Sequence, residues 1–528
     1  MDHKKIHRKS SITQFLFSPL LNRIETENRN HLTNIVYLFV AFHFCLWFCV
    51  GFVSQRAPHW DNVEALVWSQ HLAWGYFKHP PFATWVVHFF VEIFGRSFWV
   101  TYLVGQLNVA LMLLVVWRIG LLLTTPVRAV MAVILTSLIV YYNVWGIVSN
   151  HNTLQLLPIA LLLWACLLAV RHPQWWRWGL VGLAAAVCIL TKYSALIWIA
   201  ALGIWMITDS RMHCLKPWLG VLFAVLIILI ALTPHIEWLT HEGYQTLKYL
   251  ENQTKQHSNY FVLVGRFLTS QLARLLPLFI AVGLVFLTYK RYRSKQTGSL
   301  VTLPPAPSEW RFICLMSFSP LILALLAGAF MMNLRANWGT TFFILAGLFV
   351  TRWLPVFDEK FLLQSVLKIG ILINLTFACW MMFSNGFLVD MTKRTSRVNF
   401  PTTEFVNQVD KIWSGAMGQQ PLKLVAAETW LAGVTSVKSR YHPVAYLYGR
   451  RLQAPWVSEK MLSDCGVLLL IDRRSQQSRK PPPAVLQLME LASHHGMIEI
   501  TWSRRAEGPM LTVEWGIIEP AEKGQCNH

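Results

Sequence analysis

Long apolar runs separated by short polar turns fill the first three-quarters of the chain. A membrane crossing needs roughly 20 apolar residues. On that scale candidate spans fall at 35–53, 98–117, 127–142, 154–170, 178–190, 194–208, 218–235, 267–289, 312–332, 338–354 and 362–383. The pattern predicts a polytopic bundle of about eleven helices, the fifth and sixth short and joined by an abrupt turn. Residues 77–95, FKHPPFATWVVHFFVEIFG, are apolar but interrupted by His88 and Glu92. The paired prolines preset a helix start, and this stretch reads as a helix lying in the interface rather than a span.

After residue 386 the pattern changes. LKLVAAE, HPVAYLY, GVLLLID and MLTVEW read as strands and residues 484–495 as a helix, which together predict a small α/β unit. It has no glycine-rich phosphate loop and no obvious nucleophile motif, and reads as an accessory domain. The expected layout is an N-terminal segment at 1–34, a transmembrane domain at 35–385 and the accessory domain at 386–528.

Composition agrees. The 528 residues are 55% hydrophobic and 14% charged, with 25 tryptophans, which places the chain in the membrane class. The formal net charge of +20 would otherwise suggest nucleic acid. Here the basic residues concentrate in short loops beside apolar spans, where they set orientation, so no nucleic-acid partner is expected. Arg118, Arg128, Arg171, Arg177, Arg211, Lys216, Lys290, Arg291, Arg293, Lys295, Arg352 and Lys360 fall at alternate turns. That pattern puts the N-terminus in the cytoplasm, and an odd span count puts the 60–85 loop and the C-terminal domain outside. The basic N-terminus is followed by mixed residues without a small-residue cleavage site, so the first span reads as uncleaved. The cysteines show no CxxC and no zinc spacing; Cys465 and Cys526 share the C-terminal segment and are open to pairing.

The candidate chemistry centres on residues 60–85, WDNVEALVWSQHLAWGYFKHPPFATW. This loop holds an acidic pair (Asp61, Glu64), a basic–imidazole pair (Lys78, His79), two prolines and four tryptophans. Asp61 follows span one closely enough to be partly desolvated and to act as a general base. Glu64, three residues on, would share its helix face. The plain alternative is a helix N-terminal acid favoured by the dipole. Pro80 and Pro81 fix the backbone beside Lys78, which suits a cation held at a set distance from an acid; a snorkelling lysine is the competing account.

Other outer turns carry cations against the orientation trend. Lys192 lies in Thr191-Lys192-Tyr193, and Arg335 in Asn333-Leu334-Arg335-Ala336-Asn337-Trp338. Arg266 starts span eight, where snorkelling to lipid phosphate is the simpler account. Cations on the outer face suit an anionic, phosphate-like partner. In Asn150-His151-Asn152-Thr153 the side chains either bind a polar ligand or cap the next helix, with Asn152 the expected cap. His79 and His257 leave room for a divalent metal without any supporting ligand spacing; no cofactor is otherwise required.

The first outer loop with Trp-Asp then Glu, the GYFKHPPFATW run, the TKYSAL turn and the PHIEWL stretch resemble the polyprenyl-phosphate-sugar-dependent glycosyltransferases of the membrane C fold. The resemblance covers roughly residues 35–355 and is to the family 39 group of protein mannosyltransferases and lipid A aminoarabinose transferases. It implies an inverting transfer from a polyprenyl-phosphate sugar to an envelope glycan, lipid or protein hydroxyl in the bacterial inner membrane. Asp61 matches the position of the family's base, and outer-face cations would hold the phosphate leaving group. The resulting assignment is Asp61 catalytic, and Glu64, Lys78, His79, Asn150, Asn152, Lys192, Tyr193, His257, Arg266 and Arg335 substrate-binding. Two departures stand out: SNHNT replaces a loop where many relatives carry a second aspartate, and Phe77 replaces a glutamate that some relatives place before Lys-Pro-Pro.

Two other classes compete. A lipid-linked-sugar flippase would place polar groups near the bilayer midplane on broken helices, often with an internal repeat; here the unusual charges sit at span ends and no clear repeat appears. A noncatalytic scaffold leaves Asp61, Lys192 and Arg335 without a role.

Overall fold

A computed structural model describes residues 9–254, 259–293, 307–331, 334–355, 358–392, 395–473, 481–502, 509–521 and 526. The helices run α1 (Lys9–Ser54), α2 (Trp60–Trp68), α3 (Phe82–Phe94), α4 (Phe98–Leu123), α5 (Pro126–Ser137), α6 (His151–Leu154), α7 (Leu156–Arg171), α8 (Trp175–Thr191), α9 (Ala195–Thr208) and α10 (Leu215–His241). They continue with α11 (Gln245–Thr254), α12 (Tyr260–Arg293), α13 (Pro307–Met331), α14 (Ala346–Thr351), α15 (Glu359–Met382) and α16 (Val389–Met391).

Among the described residues seven helices are long and apolar enough to cross a membrane: Asn30–Ser54, Phe98–Leu123, His151–Arg171, Leu215–His241, Tyr260–Tyr292, Glu309–Ala329 and Glu359–Leu388. The other four expected crossings, at 127–142, 178–190, 194–208 and 338–354, are shorter elements, so length and composition do not reproduce a count of eleven. Helix α3 forms where the prolines predict it, with Pro81 at its N-cap.

Two of the short elements have an identifiable cause. Helix α5 starts as its sequence dictates, with Thr125 accepting the Arg128 N–H at 3.3 Å and Pro126 at the first helical position. It stops at Ser137 because the chain then turns tightly against α4: a Cβ on Gly105 would lie 2.5 Å from the Gly146 carbonyl oxygen. The turn's backbone finds partners elsewhere, for example Val140 N–H donating to the Arg274 carbonyl at 3.1 Å. Irregular backbone at membrane depth is tolerated where protein buries it in this way. Residues 338–354 are likewise not one helix but a 3-10 turn, Ala336–Thr341, followed by α14. There Gly347 packs on the backbone of α5, since a Cβ would come 2.2 Å from the Ala132 carbonyl oxygen.

Helices α10 and α12 leave Leu222, Ile230, Phe279 and Leu287 exposed, apolar surface suited to lipid contact. At the bundle end away from the 60–85 loop, ion pairs join helix termini, Arg128 to Glu359 at 3.1 Å and Arg171 to Glu309 at 2.7 Å, and Arg211 pairs with Asp209 at 2.7 Å within the α9–α10 turn. The Pro-Pro stretch at 304–305, whose composition predicts a stiff linker, lies outside the described residues.

The C-terminal region contains α17 (Thr402–Met417), β1 (Leu424–Ala427), α18 (Thr429–Lys438), β2 (Val444–Leu447), α19 (Glu459–Cys465), β3 (Val467–Asp472), α20 (Pro483–Met489), β4 (His494–Thr501) and β5 (Met510–Ile518). The sheet order is β2-β1-β3-β5-β4, with β1 parallel to β2 and β3, and β5 antiparallel to β3 and β4. All four expected strands are present. The expected helix over 484–495 ends at Met489, because His494 onward alternates, burying Ile498 and Ile500 against β5. Cys465 and Cys526 form a disulfide.

This domain packs directly on the 60–85 loop. A Cβ on Gly433 of α18 would come 2.3 Å from the Val63 side chain of α2, so the glycine permits close helix contact. Trp60 stacks on Trp430 with ring centroids 6.4 Å apart, and the Arg397 guanidinium lies 4.6 Å from the Trp60 ring. Val63, Leu66, Val67, Trp68, Val87 and Val91 share one hydrophobic core with the buried strands β1 and β3.

Candidate active site

Helix α2 begins at Trp60 because His59, in extended backbone, accepts the Asp61 N–H through Nδ1 at 3.4 Å. Its apolar face is buried, and the three-residue spacing places Asp61 and Glu64 on a common face as expected. The two carboxylates then diverge in partner. Lys78 Nζ donates to Glu64 Oε1 at 2.5 Å, with side chains 17% and 10% exposed. This ion pair staples the turn before Pro80-Pro81 to α2. Burial alone would lower the Lys78 pKa, but the Glu64 carboxylate more than offsets it and raises it. Both side chains are therefore committed to each other.

Asp61 instead meets the α5–α7 connection. Asn150 Nδ2 donates to Asp61 Oδ2 at 2.7 Å. Asn150 is the N-cap of α6, its Oδ1 accepting the N–H groups of Asn152 and Thr153 at 2.9 and 3.0 Å. Those bonds fix the amide oxygen, so the NH2 group must face the carboxylate. The cap is thus Asn150 and not the expected Asn152, since Asn150 has the extended backbone a cap requires. Asn152 turns outward, and its Oδ1 accepts from Lys192 Nζ at 2.5 Å. One short segment therefore bridges a carboxylate and an ammonium.

Lys192 sits in the predicted turn between α8 and α9. Gln155 secures that turn, donating to the Lys192 carbonyl at 2.9 Å and accepting from Ser194 Oγ at 3.1 Å. Burial lowers the Lys192 pKa to about 8, with Asp61 acting against the fall and Arg335 adding to it. Arg335, exposed at the start of the Ala336–Thr341 turn, is close enough to repel Lys192. Tyr141, Trp145, Asn150, Asn337 and Thr340 line a small cleft between these segments.

Tyr193 faces away from this pair, its hydroxyl 2.7 Å from His235 Nε2. His235 Nδ1 is 2.5 Å from the Trp74 carbonyl, so Nδ1 donates and Nε2 accepts from the tyrosine. His79 lies against His151 with ring centroids 4.0 Å apart and planes tilted by 33°. Burial, then the neighbouring His151, Lys192 and Lys78, holds the His79 pKa well below its ordinary value and keeps the ring neutral. Arg266 is exposed on α12 and joins no hydrogen bond or ion pair of this group among the described residues. His257 lies outside the described residues. Among the described residues no three His, Cys, Asp or Glu side chains converge as a metal site.

Three contributors went unassigned from sequence. His151, already inside the SNHNT motif, was recoverable from it. Tyr448, at the end of β2 with φ 57°, comes within electrostatic reach of Lys78 and Glu64. Glu428 caps α18, accepting from the Trp430 and Leu431 N–H groups at 2.9 and 3.1 Å. Burial is the main force pushing its pKa up to about 7. Neither residue carries a local motif; the docking of the two domains brings Tyr448 to Lys78, and Glu428 lies within electrostatic reach of Tyr448.

Comparison with known proteins follows the same lines. Residues 78–238 match the family model for dolichyl-phosphate-mannose-protein mannosyltransferase. Over 208 residues, 38% of this chain, the sequence is 27% identical to the lipopolysaccharide core galacturonosyltransferase RgtA of Rhizobium johnstonii. The match spans 41% of that protein's length. The fold is similar to that of ArnT from Cupriavidus metallidurans bound to undecaprenyl phosphate, with TM-score 0.58, 13% identity, and coverage of 91% of this chain and 98% of the other. The apo ArnT structure gives TM-score 0.53 at 16% identity over the same shares of 91% and 98%. The chain thus has the fold of the ArnT structures, the membrane C-type glycosyltransferase fold that its motifs led us to expect.

Proposed function

We propose that the protein is an inverting glycosyltransferase that moves a sugar from a polyprenyl-phosphate donor to an acceptor hydroxyl. The proposed setting is the bacterial inner membrane, with the N-terminus cytoplasmic and the 60–85 loop and C-terminal domain on the periplasmic face. The observation that carries the reading is the bridge from Asp61 through Asn150 and Asn152 to Lys192. It sets a carboxylate and a cation at opposite ends of one short segment, beside the Asn150 cleft.

In the reaction, Asp61 accepts the proton of the acceptor hydroxyl. The oxygen's electron pair forms a bond to the anomeric carbon from the face opposite the phosphate. The bond from that carbon to the phosphate oxygen breaks, and its electrons leave with the polyprenyl phosphate, which gains one negative charge. Lys192 and Arg335 stabilise that charge as it develops. Lys78, locked to Glu64, holds the loop's shape rather than the phosphate. The ArnT structure with undecaprenyl phosphate bound supports a donor of this kind.

The test is transfer from a radiolabelled polyprenyl-phosphate sugar in membranes, comparing wild type with Asp61→Asn at matched expression. Loss of most transfer with donor binding intact supports Asp61 as the base; full activity in the variant removes that assignment. A wild type that transfers no sugar from a broad donor panel but moves labelled lipid across the bilayer would establish a flippase instead.

A further inference from the structure

Two cation-bearing turns of the site are tied to one buried imidazole. The first turn is Thr191-Lys192-Tyr193, between α8 and α9. The second carries Lys78: the Tyr76 N–H donates to the His79 carbonyl at 3.0 Å, and the His79 N–H returns to the Tyr76 carbonyl at 3.2 Å. His235, on α10 and only 2% exposed, reaches toward both. Its Nε2 accepts from the Tyr193 hydroxyl at 2.7 Å, and its Nδ1 donates at 2.5 Å to the carbonyl of Trp74, two residues before the second turn. With one nitrogen accepting and the other donating, the ring is neutral in a single tautomer.

The imidazole is itself held in place. Trp238, one turn further along α10, stacks on it with ring centroids 5.9 Å apart and an interplanar angle of 11°. A Cβ on Gly75 would come 2.2 Å from that indole, so the backbone after Trp74 closes over it. Thr246, on α11, adds a hydrogen bond from its hydroxyl to the Tyr76 carbonyl at 3.0 Å. His235 is thus fixed by α10 and by the 74–76 backbone, and Tyr193 is fixed by His235.

Fixing Tyr193 matters for its neighbour. Lysine carries a strongly hydrated head on a flexible stem, so the place of its ammonium depends on how the backbone beneath it is held. Gln155 grips the turn from α7, through the Lys192 carbonyl and Ser194. Tyr193 anchors it to α10. Between these anchors Lys192 Nζ donates to Asn152 Oδ1 at 2.5 Å. We propose that His235 is a positioning residue for the Lys192 ammonium, acting through the Tyr193 hydroxyl and taking its own place from the Trp74 carbonyl. Its consequence for turnover rests on the assignment of Lys192 to the leaving phosphate above. The groups facing Lys192 are Asp61 from α2, His79, His151, Asn152 and Arg335. The hydrogen bonds of the His235 ring go to Tyr193 and Trp74 instead, so a change at position 235 leaves those charges in the chain. Burial holds the Lys192 pKa down at about 8. A turn released on its Tyr193 side would let water reach the ammonium and relax that effect.

The test is competitive acetylation of purified full-length protein by trace tritiated acetic anhydride, from neutral to alkaline pH, read on the peptide that contains Lys192. In wild type this lysine should titrate near pH 8. In His235→Ala it should titrate about one pH unit higher, toward an ordinary lysine. His235→Gln, whose amide both donates and accepts, should return the midpoint toward wild type. Tyr193→Phe loses only the hydroxyl; it should shift the midpoint in the same direction, and it decides the matter if His235→Ala does not fold. An unchanged midpoint in His235→Ala or Tyr193→Phe, or one in His235→Gln as high as in His235→Ala, would overturn the proposal. The measurement contains no donor sugar, so a protein that transfers nothing would defeat the transferase reading without touching this result.

Discussion

Asn150 Nδ2 donates to Asp61 Oδ2 at 2.7 Å while the oxygen of the same amide caps helix α6. The amide cannot rotate without breaking the cap, so the proposed base is oriented by a group that is itself fixed. Asn150→Ala should lower kcat/KM by about tenfold, the loss expected for one orienting hydrogen bond. Asn150→Asp keeps the cap but sets a second carboxylate beside the first, and should move the acid limb of the pH–rate profile to higher pH. A profile identical to wild type for Asn150→Asp would show that the two side chains do not interact during turnover.

Lys192 should give the alkaline limb. Its pKa is lowered to about 8 in the free protein, so the cationic form is complete well below that pH and is lost as pH rises through it. If the cation holds the phosphate, kcat/KM for the donor should fall above about pH 8, because that parameter reports the free enzyme. Lys192→Arg should carry the limb upward, since guanidinium keeps its charge. An unchanged limb in Lys192→Arg would assign it to another group.

The Glu64–Lys78 pair should behave as a structural unit. Lys78→Met leaves a buried carboxylate uncompensated and should cost about 3–5 kcal/mol of stability, whereas Lys78→Met with Glu64→Leu should recover most of that loss. Thermal unfolding of the two variants checks this. Similar destabilisation in both would mean that the side chains act independently.

The C-terminal domain should depend on its disulfide and on pH. Cys465 and Cys526 are 61 residues apart in sequence, and removing the link by Cys465→Ser should cost about 2–4 kcal/mol. Glu428 has its pKa raised to about 7 in the folded domain. That raised value contributes stability below the unfolded pKa, and the contribution disappears as pH rises through about 7. Glu428→Gln should flatten this part of the stability–pH curve, measured by urea unfolding; a curve of unchanged slope would place the titration elsewhere.

Span ends were legible because charge at a membrane boundary is costly and so conspicuous. Asp61, Glu64, Lys78 and Lys192 stand out from an apolar background, and each has a definite partner in the structure. Residues 138–149 and 338–354 were not legible as breaks. Their composition is as apolar as a span's, and the breaks accompany close backbone approach at Gly105, Gly146 and Gly347, contacts between segments distant in sequence. Strand β4 was hidden for a different reason: its exposed His-His-Gly start carries little strand signal, and its pairing with β5 decides the outcome. Tyr448 could not be assigned at all, because its proximity to Lys78 depends on how two domains dock, and Glu428 enters only through Tyr448.

The core beneath the 60–85 loop joins residues 63–91 to side chains from Phe400 to Ile517. The early segment leaves the ribosome long before the late one, so its hydrophobic face has no permanent cover while the bundle is being made. A nascent chain halted before the sheet would therefore leave the apolar side of α2, the helix that carries Asp61, without its cover.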